Sequence, residues 1–206
     1  MKRRALRDSA YFSTTRAAEA AHPSQRHALP RQCLNLPDCP ARRRDMAEPC
    51  EVRIARPADA LRIAQMSRDF IEDGLGWRWT ASRIVGCMRD RAMNAIVAEA
   101  DGHLLGFGIM QYHELEAHLV LFGVVPEARR RGIGTRLLHW LEQVAAIAGI
   151  ELIFLEARVT NLAAREFYRA HGYRELALMR RYYSQLEDAV RIGKDLEMAP
   201  LPLRGG

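Results

Sequence analysis

The sequence predicts an α/β (α+β) fold: a mixed, mostly antiparallel central sheet of about six to seven strands, with helices on both faces. Three observations carry that reading. After residue 46, strand-like and helix-like segments follow in the order β-α-α-β-β-β-α-β-α-β-β. Asp101-Gly102 stands between two strand patterns and signals a tight hairpin, so strands adjoining in sequence pair antiparallel. Leu152 to Leu155 is a continuous apolar run, which suits a strand in the sheet centre covered on both faces.

Each element has its own signature. Glu51 to Arg56 alternates through Val52 and Ile54 as a short strand, and Pro57 then sits at the first turn of a helix reaching about Ile71. Asp73-Gly74 and Gly76 break it, and Thr80 caps a second helix over Ala81 to Arg89. Ala95–Ala100, Leu104–Tyr112 and His118–Val125 form a three-strand meander, stopped by Pro126. Gly132–Ala148 is a helix with Leu137, Leu138, Leu141, Val144, Ala145 and Ala148 on one stripe. Asn161 caps a helix from Leu162 to about His171, and Gly172 ends it. Leu176–Tyr182 and Ala189–Leu196 close the sheet.

Charge divides the chain. The formal net charge is +6, and residues 1–45 carry ten Lys/Arg against four Asp/Glu, so the excess lies in that stretch and the body is neutral. Residues 1–45 lack apolar periodicity and read as a disordered basic extension, with residues 46–206 as the folded domain and Met46 as the expected natural start. The Arg42-Arg43-Arg44 run leaves nucleic-acid contact as an outside reading, although the body lacks the charge of a nucleic-acid-binding domain. No apolar run of about 18 residues predicts a membrane span. Cys33, Cys39, Cys50 and Cys87 match no zinc spacing and read as free thiols of a reducing cytoplasm.

The most informative stretch runs from Val124 to Thr135, Val-Val-Pro-Glu-Ala-Arg-Arg-Arg-Gly-Ile-Gly-Thr. A strand ends, a short loop follows, and a helix begins at two glycines. A helix start offers unpaired N–H groups and the positive end of the dipole, which together bind phosphate. Glycine lets a ligand approach the backbone, and three arginines add positive potential. A Walker loop would need a lysine before Thr135, and a Rossmann turn a third glycine in a parallel setting.

Taken whole, strand-Val-x-Pro followed by R-x-x-G-x-G and Leu137-Leu138 resembles the acetyl-CoA signature of the GNAT superfamily. Leu155–Asn161 and Phe167–Tyr173 look like its L-E-V-R-x-x-N and L-Y-x-x-x-G-F segments. Arg181-Tyr182-Tyr183 and Glu187-Asp188-Ala189 look like marks of the ribosomal-protein-alanine N-acetyltransferases. The family's Phe-Pro-Trp element is replaced by Gly74-Leu75-Gly76-Trp77-Arg78-Trp79-Thr80, and Val125 stands where an acidic residue often precedes the proline. Both departures fall on the acceptor side.

The resemblance implies an acetyl-CoA-dependent N-acetyltransferase that transfers acetyl to a primary amine in a ternary complex. The acceptor is a protein N-terminus or, alternatively, a small-molecule amine; a non-catalytic acyl-CoA sensor is the reading from another class. It implies backbone contacts to the pantetheine arm at Phe122, Gly123 and Val124, where a bulge would aim an N–H at the thioester oxygen. It further implies pyrophosphate contacts at Arg129, Arg130, Arg131, Gly132, Ile133, Gly134 and Thr135, and a coenzyme contact at Asn161.

Two side chains are the catalytic candidates. An α-amine with a pKa of about 8, or a lysine at about 10.4, needs a base at neutral pH. Glu156 ends an apolar strand, where a carboxylate is either paired, with Arg158 as the nearest partner, or working as that base. Tyr168 is either an ordinary core tyrosine or, as the resemblance implies, the acid that protonates the departing thiolate. His113, His118 and His139 show no metal-ligand arrangement and read as surface or satisfied histidines; no metal is expected. Trp77 and Trp79 are shared between core packing and an acceptor wall. The oligomeric state stays open between monomer and homodimer.

Overall fold

The computed structural model describes residues 50–184 and 186–196. The extension assigned to residues 1–45, and Met46 itself, lie outside the described residues. Within them the element order matches the expected one. Strands are β1 (Glu51–Ile54), β2 (Met93–Ala100), β3 (His103–Tyr112), β4 (Glu116–Val124), β5 (Leu152–Arg158), β6 (Arg174–Tyr183) and β7 (Glu187–Asp195). Helices are α1 (Ala60–Phe70), α2 (Ala81–Arg89), α3 (Ile133–Ile147) and α4 (Leu162–Ala170). Pro57–Asp59 is a 3-10 turn leading into α1, and Pro126–Ala128 another after β4.

All seven strands form one sheet in the order β1-β2-β3-β4-β5-β7-β6. Every pairing is antiparallel except that of β4 with β5, which is parallel. The β2–β3 hairpin turns on Asp101 and Gly102 at φ 51° and 73°, the left-handed pair that a two-residue turn of this hand requires. Thr80 caps α2 by accepting from the Arg83 N–H, and Asn161 caps α4 by accepting from that of Ala164.

The β4–β5 pairing is short. It joins Glu116, Ala117 and His118 to Leu152, Ile153 and Phe154 and then stops, although β4 continues to Val124 and β5 to Arg158. Beyond His118 the register pairing of the two central strands ends, leaving a split between them. Just past that point the β3–β4 register slips, with Ile109 opposite Leu121 and Met110 opposite Leu119, so Val120 is the bulged residue. The bulge expected at Phe122 to Val124 thus falls nearer the root of the split.

Side-chain direction sorts the two faces. A Cβ built on Gly106 or Gly108 would stand 2.9 Å from Leu137 or Leu141 of α3. One built on Gly123 would meet Phe107 at 3.1 Å and Ile71, just past α1, at 3.4 Å. Helix α3 therefore covers one face and the end of α1 the other. Helix α4 joins α3, because Phe167 stands 3.3 Å from the Cβ position of Gly134. Leu137, Leu138 and Leu141 are fully buried, each worth about 1.5–3 kcal/mol of burial.

Candidate active site

A cleft of about 660 Å³ runs along the α3–α4 face of the split. The sequence-predicted residues Phe122, Gly123, Val124, Arg129, Arg130, Gly132, Gly134 and Thr135 line one side. Helix α4 supplies the other through Ala163, Glu166, Phe167, Arg169 and Ala170. Of these the sequence reading quoted Phe167, Arg169 and Ala170 within the Phe167–Tyr173 motif but expected none as a coenzyme contact. Their one-turn spacing was visible, but which face of α4 met the cleft was not. Arg131 is exposed and Ile133 buried; neither side chain lines the cleft, and buried Asn161 serves as the α4 cap.

The loop is built for its turn. Gly132, the residue ahead of α3, has φ 78° and ψ 0°, and Arg130 also sits left-handed at φ 62°. A side chain at Gly132 would meet no atom within 4 Å, so backbone conformation rather than space demands glycine there. The bond from the Arg136 N–H to the Gly132 carbonyl closes the helix's first turn. The N–H groups of Ile133, Gly134 and Thr135 precede it and have no place in the helix ladder. The half-buried Arg129 donates from Nε to the Val124 carbonyl at 3.1 Å, which ties the loop to β4. Burial draws its pKa below the usual value, with Glu127 opposing.

A second tie joins the loop to α4. His171 Nδ1 lies 2.7 Å from the Phe167 carbonyl, which can only accept, so Nδ1 carries a hydrogen. In neutral His171 the Nε2 then accepts from the Thr135 hydroxyl, 3.0 Å away. The sequence reading placed His171 at the approximate end of α4 without this role.

On the other face stands Glu156, 1% exposed. Oε1 accepts from Arg191 Nε at 2.8 Å and Nη2 at 2.7 Å, and Oε2 lies 2.8 Å from His118 Nε2. Because a carboxylate only accepts, His118 Nε2 carries a hydrogen. Phe154 lies between these partners: His118 stacks on its ring at 4.5 Å, and the Arg191 guanidinium sits 4.9 Å from the ring centroid. The expected Arg158 partner is corrected by strand parity. Residues 156 and 158 share a face, but Arg191 lies directly opposite Glu156 on β7. Arg158 reaches instead to the Ile71 and Asp73 carbonyls and to Glu187. β5 also continues through Arg158, so Glu156 lies within the strand rather than at its end.

Tyr168 is fully buried on α4, with its ring against Phe122, Phe167 and Tyr173. Burial holds its hydroxyl well above the ordinary tyrosine pKa. Glu156 and Tyr168 thus belong to opposite faces of the sheet. Glu72, which the sequence reading passed over, is 2% exposed and organises the α1–α2 loop. It accepts from the Arg78 N–H at 2.6 Å, the Trp79 N–H at 3.3 Å and Ser67 Oγ at 3.1 Å. Trp79 is core at 3% exposure, whereas Trp77 is 47% exposed. Among the described residues no His, Cys, Asp and Glu gather in a metal-holding cluster, and no helix is long and apolar enough to cross a membrane.

A sheet split beyond a bulge, with a glycine-arginine loop feeding a cleft on one face, defines an acyltransferase architecture. The Acetyltransferase (GNAT) family model matches residues 60–173, more than half of the chain; the protein belongs to that family and is an N-acetyltransferase. It is 40% identical over 108 residues to an uncharacterised N-acetyltransferase of Methanocaldococcus jannaschii, covering 52% of this chain and 69% of that one. It is 31% identical over 123 residues to the [ribosomal protein bS18]-alanine N-acetyltransferase of Salmonella typhimurium, covering 58% and 82%. The fold resembles the ribosomal-protein-S18-alanine N-acetyltransferase of Escherichia coli, with a TM-score of 0.63 at 24% identity over 76% of this chain and all of that one. It also resembles the Paia N-acetyltransferase of Thermoplasma acidophilum in complex with coenzyme A, with a TM-score of 0.61 at 19% identity over 72% and 99%.

Proposed function

We propose that the protein transfers acetyl from acetyl-CoA to the α-amino group of a protein N-terminus, by direct attack in a ternary complex. The observation that carries this reading is the split. The coenzyme-sized cleft runs along it on one face, and the buried Glu156–His118 pair stands at its root on the other. The thioester and the amine reach each other there from opposite sides.

Arg130, Gly132, Gly134 and Thr135 hold the pyrophosphate at the start of α3, with Arg129, Arg131 and Ile133 shaping the loop and Asn161 setting the start of α4. The edge of β4 at Phe122, Gly123 and Val124, past the last β4–β5 register pair at His118 and Phe154, aligns the pantetheine arm. Glu156 takes the proton of the incoming ammonium while Arg191 and His118 fix its two oxygens. The amine nitrogen bonds to the thioester carbon, a β4 N–H near the bulge steadies the oxyanion, and the carbon–sulfur bond breaks. Tyr168 gives its proton to the departing thiolate. The acetylated nitrogen sheds its second proton to water as the amide forms, and Tyr168 regains a proton from that water. Burial keeps the hydroxyl protonated until it is needed.

An α-amine suits this base. At pH 7 about a tenth of α-amino groups are neutral, against about one lysine amine in 2,500. Relatives named as alanine and N-alpha-acetyltransferases support the same acceptor. The test is thiol release from acetyl-CoA with peptides bearing free N-terminal Ala or Ser, lysine peptides and small amines. Turnover of the N-terminal peptides, lost in Glu156→Gln, is the expected result. Turnover of small amines alone would refute the acceptor assignment, and coenzyme binding without turnover of anything would refute the mechanism.

A further inference from the structure

Arg158 ties the end of β5 to the loop after α1, which is not part of the sheet, and to the first residue of β7, the neighbouring strand. From the end of β5, its Nη2 donates to the Asp73 carbonyl at 2.8 Å and the Ile71 carbonyl at 3.3 Å, both just past α1. Its Nη1 pairs at 3.1 Å with Glu187, the first residue of β7, whose other oxygen accepts from Thr160 Oγ1 at 2.7 Å. The guanidinium lies 5.7 Å from the ring centroid of Tyr183, and the Tyr183 hydroxyl donates to the Glu156 carbonyl at 3.2 Å. The side chain is 15% exposed, and its Nε has no partner among the described residues. A buried donor left unpaired is costly. The guanidinium is therefore placed for the fork it makes at its other end.

We propose that Arg158 is a positioning residue for the acceptor: it fixes the α1–α2 loop and the β6–β7 hairpin at a set distance on either side of Glu156. The proposal rests on the acceptor entering from the face of Glu156. Glu72 already holds the α1–α2 loop in its own shape through Ser67, Arg78 and Trp79. Loss of Arg158 therefore shifts that loop as a unit without unravelling it. The coenzyme cleft lies on the opposite face and shares no lining residue with these contacts. Arg158 thus governs acceptor binding and leaves coenzyme binding alone. Lysine can replace it only in part, because a single ammonium lacks the planar fork needed for both arms.

The full chain carrying Arg158→Gln is compared with wild type in steady-state kinetics, using acetyl-CoA and a peptide with a free N-terminal alanine. The acceptor KM rises about tenfold or more while the acetyl-CoA Kd stays within about twofold. Arg158→Lys recovers part of the loss. Glu187→Gln, which removes only the hairpin arm, gives a smaller rise in the same parameter and stands in if Arg158→Gln fails to fold. If wild type uses only a small amine, the N-terminal acceptor falls and the same comparison is made with that amine. Without any turnover, acrylamide quenching of the exposed Trp77, read in a Trp140→Phe background, still reports the loop and increases in Arg158→Gln. An unchanged acceptor KM with unchanged quenching, or an acetyl-CoA Kd that shifts as much as the KM, would overturn the proposal.

Discussion

At the scale of single residues, Glu156 is costly to keep and informative to change. A carboxylate at 1% exposure is tolerable because Arg191 grips one oxygen and His118 the other. Glu156→Gln keeps the volume and is expected to lower kcat by about 100-fold or more with acetyl-CoA affinity intact, as kinetics and calorimetry would show. Arg191→Met leaves the carboxylate buried with half its partners and should destabilise by about 3–5 kcal/mol in urea unfolding. Tyr168→Phe should lower kcat with little change in stability. Because burial raises the Tyr168 pKa, any alkaline fall in wild-type activity below pH 10 should persist unchanged in form in that variant. A carboxylate in an apolar strand was legible in the sequence. Its partners were not: they stand 38 and 35 positions away, and only strand pairing brings them to Glu156.

At the scale of elements, the start of α3 depends on one local constraint and one distant tie. Gly132 must be left-handed; Gly132→Ala should cost about 1–2 kcal/mol of stability and weaken acetyl-CoA binding in titration. The Thr135–His171 bond couples α3 to α4, so His171→Ala should raise the acetyl-CoA Kd several-fold and leave the acceptor KM in place. The β1–α1 junction gives a pH prediction. The Arg53 hydrogen bond holds the Asp59 pKa below its ordinary value, with burial opposing. A carboxyl depressed on folding stabilises above its unfolded pKa of about 4, and that contribution is lost as pH falls through the lower folded value. Asp59→Asn should therefore cost about 1–3 kcal/mol at pH 7, and the difference should shrink progressively below pH 4. Helices, caps and the hairpin were legible because each is written within a few residues. The bulge at Val120 was not, since a bulge is a count of one strand against its partner.

At the scale of the molecule, the sheet is two halves, β1 to β4 and β5-β7-β6, hinged on three parallel pairs. The order of elements could be read from the sequence, as could the loop that feeds the cleft. The place where pairing stops could not, because residue type does not mark it: Leu119 to Phe122 stay apolar on β4, and Leu155 and Ala157 alternate with Glu156 and Arg158 on β5. A ligand lying in the split touches both halves: β4 and α3 on one side, α4 on the other. Acetyl-CoA at about 100 times its Kd should add about 2.7 kcal/mol to unfolding. For a chain of this size that is a rise of about 5–11 °C in melting temperature. In the proposed pose pantetheine would reach only the split and adenosine 3′,5′-bisphosphate only the outer cleft, so neither alone would tie the halves from loop to root. Each fragment makes part of the whole coenzyme's contacts and binds more weakly, so at equal concentration its separate shift should fall short of acetyl-CoA's. The discriminating measurement is amide exchange along residues 119–124 of β4. Coenzyme and pantetheine should slow exchange there, whereas the nucleotide alone should not. Equal protection by all three would place the coenzyme arm elsewhere than the split.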